Sequence, residues 1–308
     1  MSEPGEPDEA AVPRPRLLEG RVVVVTGAGR GLGRSHALEL AGEGALVVVN
    51  DLGVSTEGMG PSPEPARLVA ETIRAFGGSA LESDEDVSDF AGAGRLIEAT
   101  LASFGRIDAV VNNAGVARDE PFVSLSPENF EAVMRVHVLG HVAVSSMAAA
   151  HWRALAMSEG PSDWRIVNTT APAALFGATG KSAFAAAKGA IAALTLSTSE
   201  ELSRYGVTVN AIAPAARTRQ SEAEDAAAVA EPSEAGAFDA MDPRNVSPLV
   251  AWLCSAESRG ISGRVFEVAG GRVSLVQGWR RLASFDRGDR LLASQLRPVI
   301  EGLIAQAS

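Results

Sequence analysis

The residues best suited to chemistry form a glycine-rich turn early in the chain. Gly27, Gly31 and Gly33 follow a run of valines at 22–25 and precede a helical pattern at about 34–43. Glycines at such a turn let the backbone approach a pyrophosphate, and the first turn of the helix offers free N–H groups and the positive end of its dipole. The spacing is Gly-x-x-x-Gly-x-Gly, which differs from Gly-x-Gly-x-x-Gly. The turn alone therefore predicts either a dinucleotide site or tight strand–helix packing.

His137 and His141 are a second pair of residues with chemical potential. They lie four positions apart, which places both side chains on one face of a helix, as metal ligands are often arranged. Their neighbours Val136 and Val138 are apolar, and no third ligand is apparent in the sequence. We therefore expect no metal site.

The elements that must position these residues alternate between strands and helices. Short apolar runs typical of buried strands occur at 22–25, 46–49, 109–112, 165–169, 207–212 and 265–268. Helical patterns lie at about 34–43, 66–76, 91–104, 127–156, 183–204 and 244–256. This alternation predicts right-handed βαβ units, and hence an α/β fold with a doubly wound parallel sheet of the Rossmann type.

The ends of the chain and two inserted segments depart from this alternation. Residues 1–18 are acidic and proline-rich, which predicts a disordered tail. Residues 19–272 form the predicted domain, and residues 273–308 a C-terminal extension. The segment at 53–65 is rich in glycine, serine and proline and is expected to be a mobile surface loop. The acidic, alanine-rich segment at 220–239 is expected to form a lid or loop over the site.

Composition limits the partners of the chain. The net charge of −11 argues against nucleic acid and anionic membranes, because phosphate binding needs a basic surface. The single cysteine, Cys254, excludes an intramolecular disulfide and fits a reducing compartment. No apolar run approaches the roughly 20 residues needed to cross a bilayer, and the N-terminal residues lack the apolar stretch of a signal peptide. We expect a cytoplasmic protein without nucleic-acid or membrane partners.

Several motifs together give the chain a resemblance to the short-chain dehydrogenase/reductase (SDR) family over about residues 18–272. The motifs are Thr26–Gly33, Asp86-Val87, Asn112-Asn113-Ala114-Gly115, Lys188 and Asn210–Pro214. The segment Val47–Gly53 and the pair Val136-His137 are similar to the branch that holds the (3R)-hydroxyacyl-CoA dehydrogenase domains of multifunctional β-oxidation enzymes. The resemblance implies a nicotinamide cofactor and a subunit interface formed by the helices at 127–156 and 183–204.

The resemblance also implies which residues bind the cofactor. They are Gly27, Arg30, Gly31, Leu32, Gly33, Asp51, Asp86, Val87, Asn113, Ala114, Gly115, Lys188 and Pro214. Asp51 would accept hydrogen bonds from the adenosine ribose, and its carboxylate would repel the 2′-phosphate of NADP(H). Arg30 argues for NADP(H) instead, since a basic residue at this position can bind that phosphate. Repulsion between like charges in a partly dry site outweighs one solvated arginine, so we expect NAD(H).

The catalytic positions are where the chain departs from the family pattern. Family members use a Tyr-x-x-x-Lys pair on one helix, with a serine upstream and an asparagine on the preceding long helix. The tyrosine is the general acid/base, the lysine lowers its pKa and holds the nicotinamide ribose, and the serine binds the substrate oxygen. Here Lys188 is present, but Phe184, Ala171 and His137 occupy the tyrosine, serine and asparagine positions. We expect a rate loss of several orders of magnitude.

Other residues offer limited replacement for the missing proton carrier. Tyr205 is the only tyrosine, and it lies at the far end of the same predicted helix as Phe184, roughly 30 Å away at 1.5 Å per residue. Lys181 and Ser182 would reach the cleft only if that helix begins later than residue 183. His137 is the best-placed substitute, because its ordinary pKa is near 6.5.

Three functions fit this pattern. The chain is a pseudoenzyme that acts as a non-catalytic or regulatory subunit, in a homo-oligomer or in a hetero-oligomer with an intact SDR subunit. Alternatively, it is an active NAD-dependent dehydrogenase of a 3-hydroxyacyl-CoA or a bulky secondary alcohol, with His137 or water as proton carrier. In the third case the cleft performs non-redox chemistry or senses NAD(H). We favour an oxidoreductase-like protein that binds NAD, has impaired redox chemistry and takes a small-molecule or acyl-CoA ligand.

Overall fold

The computed structural model describes residues 16–55, 58–219, 221, 230 and 236–307. Most of the predicted tail at 1–18, and most of the predicted lid at 220–239, therefore lie outside the described residues. Leu18 is fully buried in the core, and its backbone N–H donates to the carbonyl of Glu43. The packed part of the chain thus already includes residue 18.

An eight-stranded sheet forms the centre of the fold, in the order β3-β2-β1-β4-β5-β6-β7-β8. The strands are β1 Val22–Thr26, β2 Leu46–Asn50, β3 Ser79–Ser83, β4 Ala109–Asn112, β5 Trp164–Thr169, β6 Val207–Ala215, β7 Val265–Ala269 and β8 Arg272–Val276. All pairs from β3 to β7 are parallel. The predicted α/β fold with a doubly wound sheet is confirmed. Because β1 lies between β2 and β4, the strand order reverses there and leaves a crevice at the carboxyl ends of these strands.

Helices cover both faces of this sheet. They are α1 Gly31–Gly42, α2 Glu64–Ala75, α3 Phe90–Phe104, α4 Pro127–Met134, α5 Gly140–Glu159, α6 Pro172–Phe176, α7 Ser182–Ser203, α8 Ser247–Cys254 and α9 Leu296–Ala307. One buried cluster packs α1, α2 and α8 against the sheet, and a second packs α3 and α5 against the opposite face. Val23 and Val25 belong to the first cluster and Val24 to the second, as the alternation of side chains along a strand requires.

The long helix predicted at 127–156 is interrupted. A π-helical turn at Arg135–Leu139 separates α4 from α5, and His137 lies at its centre. The combined run Pro127–Glu159 is long and apolar enough to span a membrane by length and composition, contrary to the expectation from the sequence. Its residues Ala148 and Trp152 are fully buried in the cluster with α3, and a core helix meets the same criterion.

Two strands were not predicted from the sequence. β3 lies at an edge of the sheet, and its residues Ser79 and Glu82 are exposed, so it carries no apolar run. β8 forms the other edge, with Arg272 and Val273 exposed. The helix expected at 244–256 is shorter, because a 3-10 turn at Pro243–Asn245 precedes α8.

Residues 276–308 form a separate compact unit. Within it, a 3-10 turn at Ala293–Gln295 leads into α9. Leu296, Ile300 and Ile304 are exposed along α9. The boundaries 19–272 and 273–308 remain predictions.

Candidate functional site

A cleft of about 1080 Å³ opens at the carboxyl ends of the parallel strands. All residues that the sequence singled out for cofactor binding or catalysis line it. They are Gly27, Arg30, Gly31, Leu32, Gly33, Asp51, Asp86, Val87, Asn113, Ala114, Gly115, His137, Ala171, Phe184, Lys188 and Pro214. The cleft coincides with the reversal of strand order beside β1, where open α/β sheets bind ligands.

The glycine-rich turn is tightly packed and leaves space in front of α1. A Cβ on Gly33 would lie 2.1 Å from the carbonyl oxygen of Gly27, so this glycine is needed for close packing of the turn. Gly31 has a φ of +51°, and a Cβ there would meet nothing closer than 3.5 Å. Arg30 precedes α1 without a side-chain cap. The first N–H groups of α1 therefore remain available to an anion such as a pyrophosphate.

Asp51 is held firmly at the end of β2. Its Oδ2 accepts from the N–H of Gly29 and its Oδ1 from the N–H of Gly53, each at 2.7 Å. A carboxylate has about four lone-pair sites, so acceptor capacity remains for the hydroxyls of a ribose. Arg30 donates to the carbonyl of Val54 at 3.1 Å. These remaining acceptor sites fit the ribose hydroxyls of a nicotinamide cofactor.

The wall between β1 and β4 is fixed by Asn113. Its Nδ2 donates to the carbonyls of Thr26 and Gly27, at 3.0 and 3.2 Å. The Thr26 hydroxyl in turn accepts from the N–H groups of Asn113 and Ala114. On the other side of the cleft, Asp86 accepts from the N–H of Ser88 at 2.8 Å. These bonds fix the backbone of the cleft around Thr26 and Asn113 and around Asp86.

Lys188 lies deep in the cleft with only 4% of its surface exposed. Its Nζ donates to the carbonyl of Thr169 at 2.7 Å, and the Thr170 hydroxyl donates to the carbonyl of Lys188 at the same distance. Among the described residues, no carboxylate forms an ion pair with Lys188. Burial lowers the pKa of Lys188 to about 7.

Phe184 lies one helical turn before Lys188, so the two side chains share a face of α7. The ring centroid is 5.6 Å from Nζ of Lys188 and 5.9 Å from Nζ of Lys181. Ala171 follows β5 and begins the short helix α6, where it adds only a methyl group to the cleft. Thr169 also lines the cleft, and its buried hydroxyl has no hydrogen-bond partner in the described part of the chain.

His137 packs against the edge of this site. Its ring meets the Phe184 ring edge to face, with centroids 5.4 Å apart. Its Nε2 bonds to the backbone of Val116, and its buried Nδ1 has no partner among the residues that the structure describes. Burial, reinforced by the charge of Lys188, lowers the pKa of His137 to about 3. The imidazole is therefore neutral near pH 7.

His141 is also buried, and burial lowers its pKa well below the ordinary value. Within the described ranges, no three His, Cys, Asp or Glu side chains gather as a metal site would require. Neither histidine thus has a partner ligand in the described part of the chain.

Lys181 was expected to reach the cleft only if α7 began later than residue 183. The helix begins at Ser182, one residue before the expected start, and Lys181 still lines the cleft. It can do so because the residue that precedes a helix can lie at the mouth of a cleft. An ion pair of 3.5 Å joins it to Asp119. Ser182 and Tyr205 are not among the residues that line the cleft.

Comparisons with known proteins agree with this geometry. A family model described as short chain dehydrogenase matches residues 21–228. The hydroxyacyl-CoA dehydrogenase ChsB1 of Mycobacterium tuberculosis is 42% identical over 261 residues, which cover 84% of this chain and 80% of that protein. Peroxisomal multifunctional enzyme type 2 of Mus musculus is 37% identical over 273 residues, 89% of this chain but 35% of that protein.

A solved structure extends the likeness to the fold. The crystal structure of a short chain dehydrogenase from Mycobacterium avium matches with a TM-score of 0.84 and 46% identity, over 95% of this chain and 97% of that one. The names of the relatives confirm the resemblance to the hydroxyacyl-CoA dehydrogenase branch. On the family match, the relatives and the fold, this chain belongs to the short-chain dehydrogenase family.

Proposed function

We propose that the chain is an NAD(H)-binding protein with impaired redox chemistry that serves as a non-catalytic or regulatory subunit. The observation that carries this proposal is the Phe184 ring, which lies 5.6 Å from Nζ of Lys188 and has no hydroxyl. Ala171 offers only a methyl group where the resemblance implies a serine. The shape of a redox site is kept, while its proton donor and the donor for the substrate oxygen are absent.

The residues around Asp51 support NAD(H) as the cofactor. The carboxylate is anchored by two backbone N–H groups, so it cannot turn away from a ribose without losing both bonds. A 2′-phosphate at the same place would meet this fixed negative charge. NAD(H) would supply or accept hydride when bound, and Lys188 would hold the nicotinamide ribose.

The mouth of the cleft supports an acyl-CoA ligand, the substrate class in the name of one relative. Phe176 lines the cleft and is 68% exposed, which suits an apolar chain. Arg118, Lys181 and Arg219 also line it and suit anionic phosphates. We further propose that the protein acts in the cytoplasm, as a homo-oligomer or together with an intact member of the family.

A working dehydrogenase that uses His137 as proton carrier has less support. A group with a pKa of about 3 is a weak base at neutral pH and holds almost no proton to donate. Its Nε2 is already bonded to the backbone of Val116. The arrangement therefore favours a structural role for His137.

The test is to restore the two hydroxyls with the double variant Ala171→Ser, Phe184→Tyr. Calorimetry should detect NADH binding to both proteins, while NAD-dependent oxidation of a 3-hydroxyacyl-CoA should increase by about 10²–10⁴-fold in the variant. Phe122→Tyr is the matched control, because it adds a phenol at an exposed position that does not line the cleft and should leave the rate unchanged. Wild-type turnover equal to that of the double variant would refute the proposal.

A further inference from the structure

The chain contains only two lysines, Lys181 and Lys188, and both line the same cleft. Their Nζ atoms lie 5.9 and 5.6 Å from the centroid of the Phe184 ring. Every other Lys/Arg position of the sequence is arginine, whose guanidinium stays protonated in proteins. The two side chains of this chain that can become neutral amines therefore meet at one phenylalanine.

The surroundings of Lys188 favour its neutral amine. Its Nζ is buried, donates a single hydrogen bond, to the carbonyl of Thr169, and has no paired carboxylate among the described residues. Burial lowers its pKa to about 7. The titratable groups that face it are His137 and His141, which burial keeps neutral, and Lys181 at the same ring. None of them supplies a negative charge that would hold the proton on Nζ.

We propose that Lys188 is an amine nucleophile that condenses with an aldehyde or ketone entering the cleft. Ala171, Phe176 and Phe184 line the cleft, so a carbonyl compound with a hydrocarbon chain is the class that fits. The proposal requires no NAD(H), but it uses the same Nζ that would hold the nicotinamide ribose in the proposed function.

The step balances without an oxidant or reductant. The lone pair of Nζ attacks the carbonyl carbon, the C=O π electrons move to oxygen, and one of the two Nζ protons passes to that oxygen to give a carbinolamine. The carbinolamine then loses its hydroxyl together with the second Nζ proton as water, and a C=N bond forms between the former carbonyl carbon and Nζ. An amine desolvated in an apolar pocket is the recognised precursor of such an imine.

The experiment uses the full chain, hexanal as probe and cyanoborohydride to reduce the imine to a stable secondary amine. Peptide mapping by mass spectrometry then locates the adduct. At pH 7 an amine with a pKa of 7 has about a 10³-fold larger neutral fraction than an ordinary lysine. We therefore expect an adduct on Lys188 that forms faster than that on Lys181, beside reaction at the N-terminal amine, with a rate at Lys188 that rises through a midpoint near pH 7. Reaction confined to the other two amines, or a rate that rises only above pH 9, would overturn the proposal.

Three variants test whether the adduct forms on Lys188 and whether its rate depends on the Phe184 ring. Lys181→Arg should keep the adduct and Lys188→Arg should abolish it, with folding of both checked by circular dichroism. Phe184→Tyr places a phenol beside Nζ and should slow the reaction at pH 7 several-fold, since a nearby acidic hydroxyl favours the ammonium form. An unchanged rate in this variant would contradict the role given to the bare ring. NADH binding is measured in parallel by calorimetry, so loss of the adduct with binding intact would overturn this inference alone.

Discussion

Raising the pH from 7 to 9 should stabilise the folded chain through Lys188. Burial lowers its pKa to about 7 in the folded state, whereas a lysine of the unfolded chain titrates near 10.4. Below pH 7 both states are protonated and this contribution is absent. Between the two pKa values the unfolded state binds one proton more, so the free energy of unfolding rises by about 1.4 kcal/mol per pH unit. Since half of the folded molecules are still protonated at pH 7, the gain up to pH 9 is about 2 kcal/mol.

Urea unfolding of the wild type and of Lys188→Met at pH 7, 8 and 9 measures this gain. The stability difference between the two should shift by about 2 kcal/mol in favour of the wild type as the pH rises, because all other titrations are common to both proteins. Lys181→Met is the matched control, since it removes the other lysine, and its curve should stay parallel to that of the wild type. Parallel curves for Lys188→Met as well would refute the assignment of a desolvated amine to this cleft.

The remaining predictions concern three contacts. Gly115→Ala would bring a Cβ to 2.3 Å from Cε1 of His137, so urea unfolding should show a loss of about 1–3 kcal/mol. The loss should shrink in the His137→Ala background, and simple additivity would contradict the contact. Asp51→Asn should raise the Kd of NADH by about 10-fold or more in calorimetry, while it should lower the Kd of NADPH. A change of both Kd values in the same direction would contradict the assignment of Asp51 to the adenosine ribose. Asp163→Ala leaves the buried Arg165 without its carboxylate and should lower the free energy of unfolding by about 3–5 kcal/mol. Thermal and urea unfolding measure this loss, and a loss below about 1 kcal/mol would contradict the prediction.

The sheet could be predicted where burial dictates the residue types. Strands such as β1 are buried on both faces, and this leaves an uninterrupted β-branched run in the sequence. β3 lacks that signal because it lies at an edge and exposes Ser79 and Glu82. The π-helical turn at Arg135–Leu139 leaves no trace in the hydrophobic pattern, since Val136, Val138 and Leu139 are as apolar as the helices on either side. Tertiary packing, which local pattern does not contain, decides both features.

The residues of the cleft could also be predicted, but their protonation could not. A histidine with an ordinary pKa is a reasonable proton carrier, and this made His137 the best substitute on sequence grounds. Burial and the neighbouring Lys188 lower its pKa to about 3, which removes that role. The position of Lys181 in the cleft could not be predicted for a related reason, because it depends on how α7 lies against the segment at Asp119. Burial and proximity across the sheet have no counterpart in the spacing of a motif.

Phenylalanine at position 184, where the family has a tyrosine, changes the chemical environment of the Lys188 amine. Beside a tyrosine, a lysine cation stabilises the developing phenolate, so the charge on Nζ has a counterpart during the reaction. The ring of Phe184 carries no acidic group, and a cation–π contact at 5.6 Å offers about 0.5–1 kcal/mol, far less than an ion pair would in the same buried place. Desolvation then dominates, and the amine becomes neutral near physiological pH. Under the two proposals, phenylalanine at residue 184 thus leaves the site without an acid and at the same time leaves a candidate nucleophile one helical turn away.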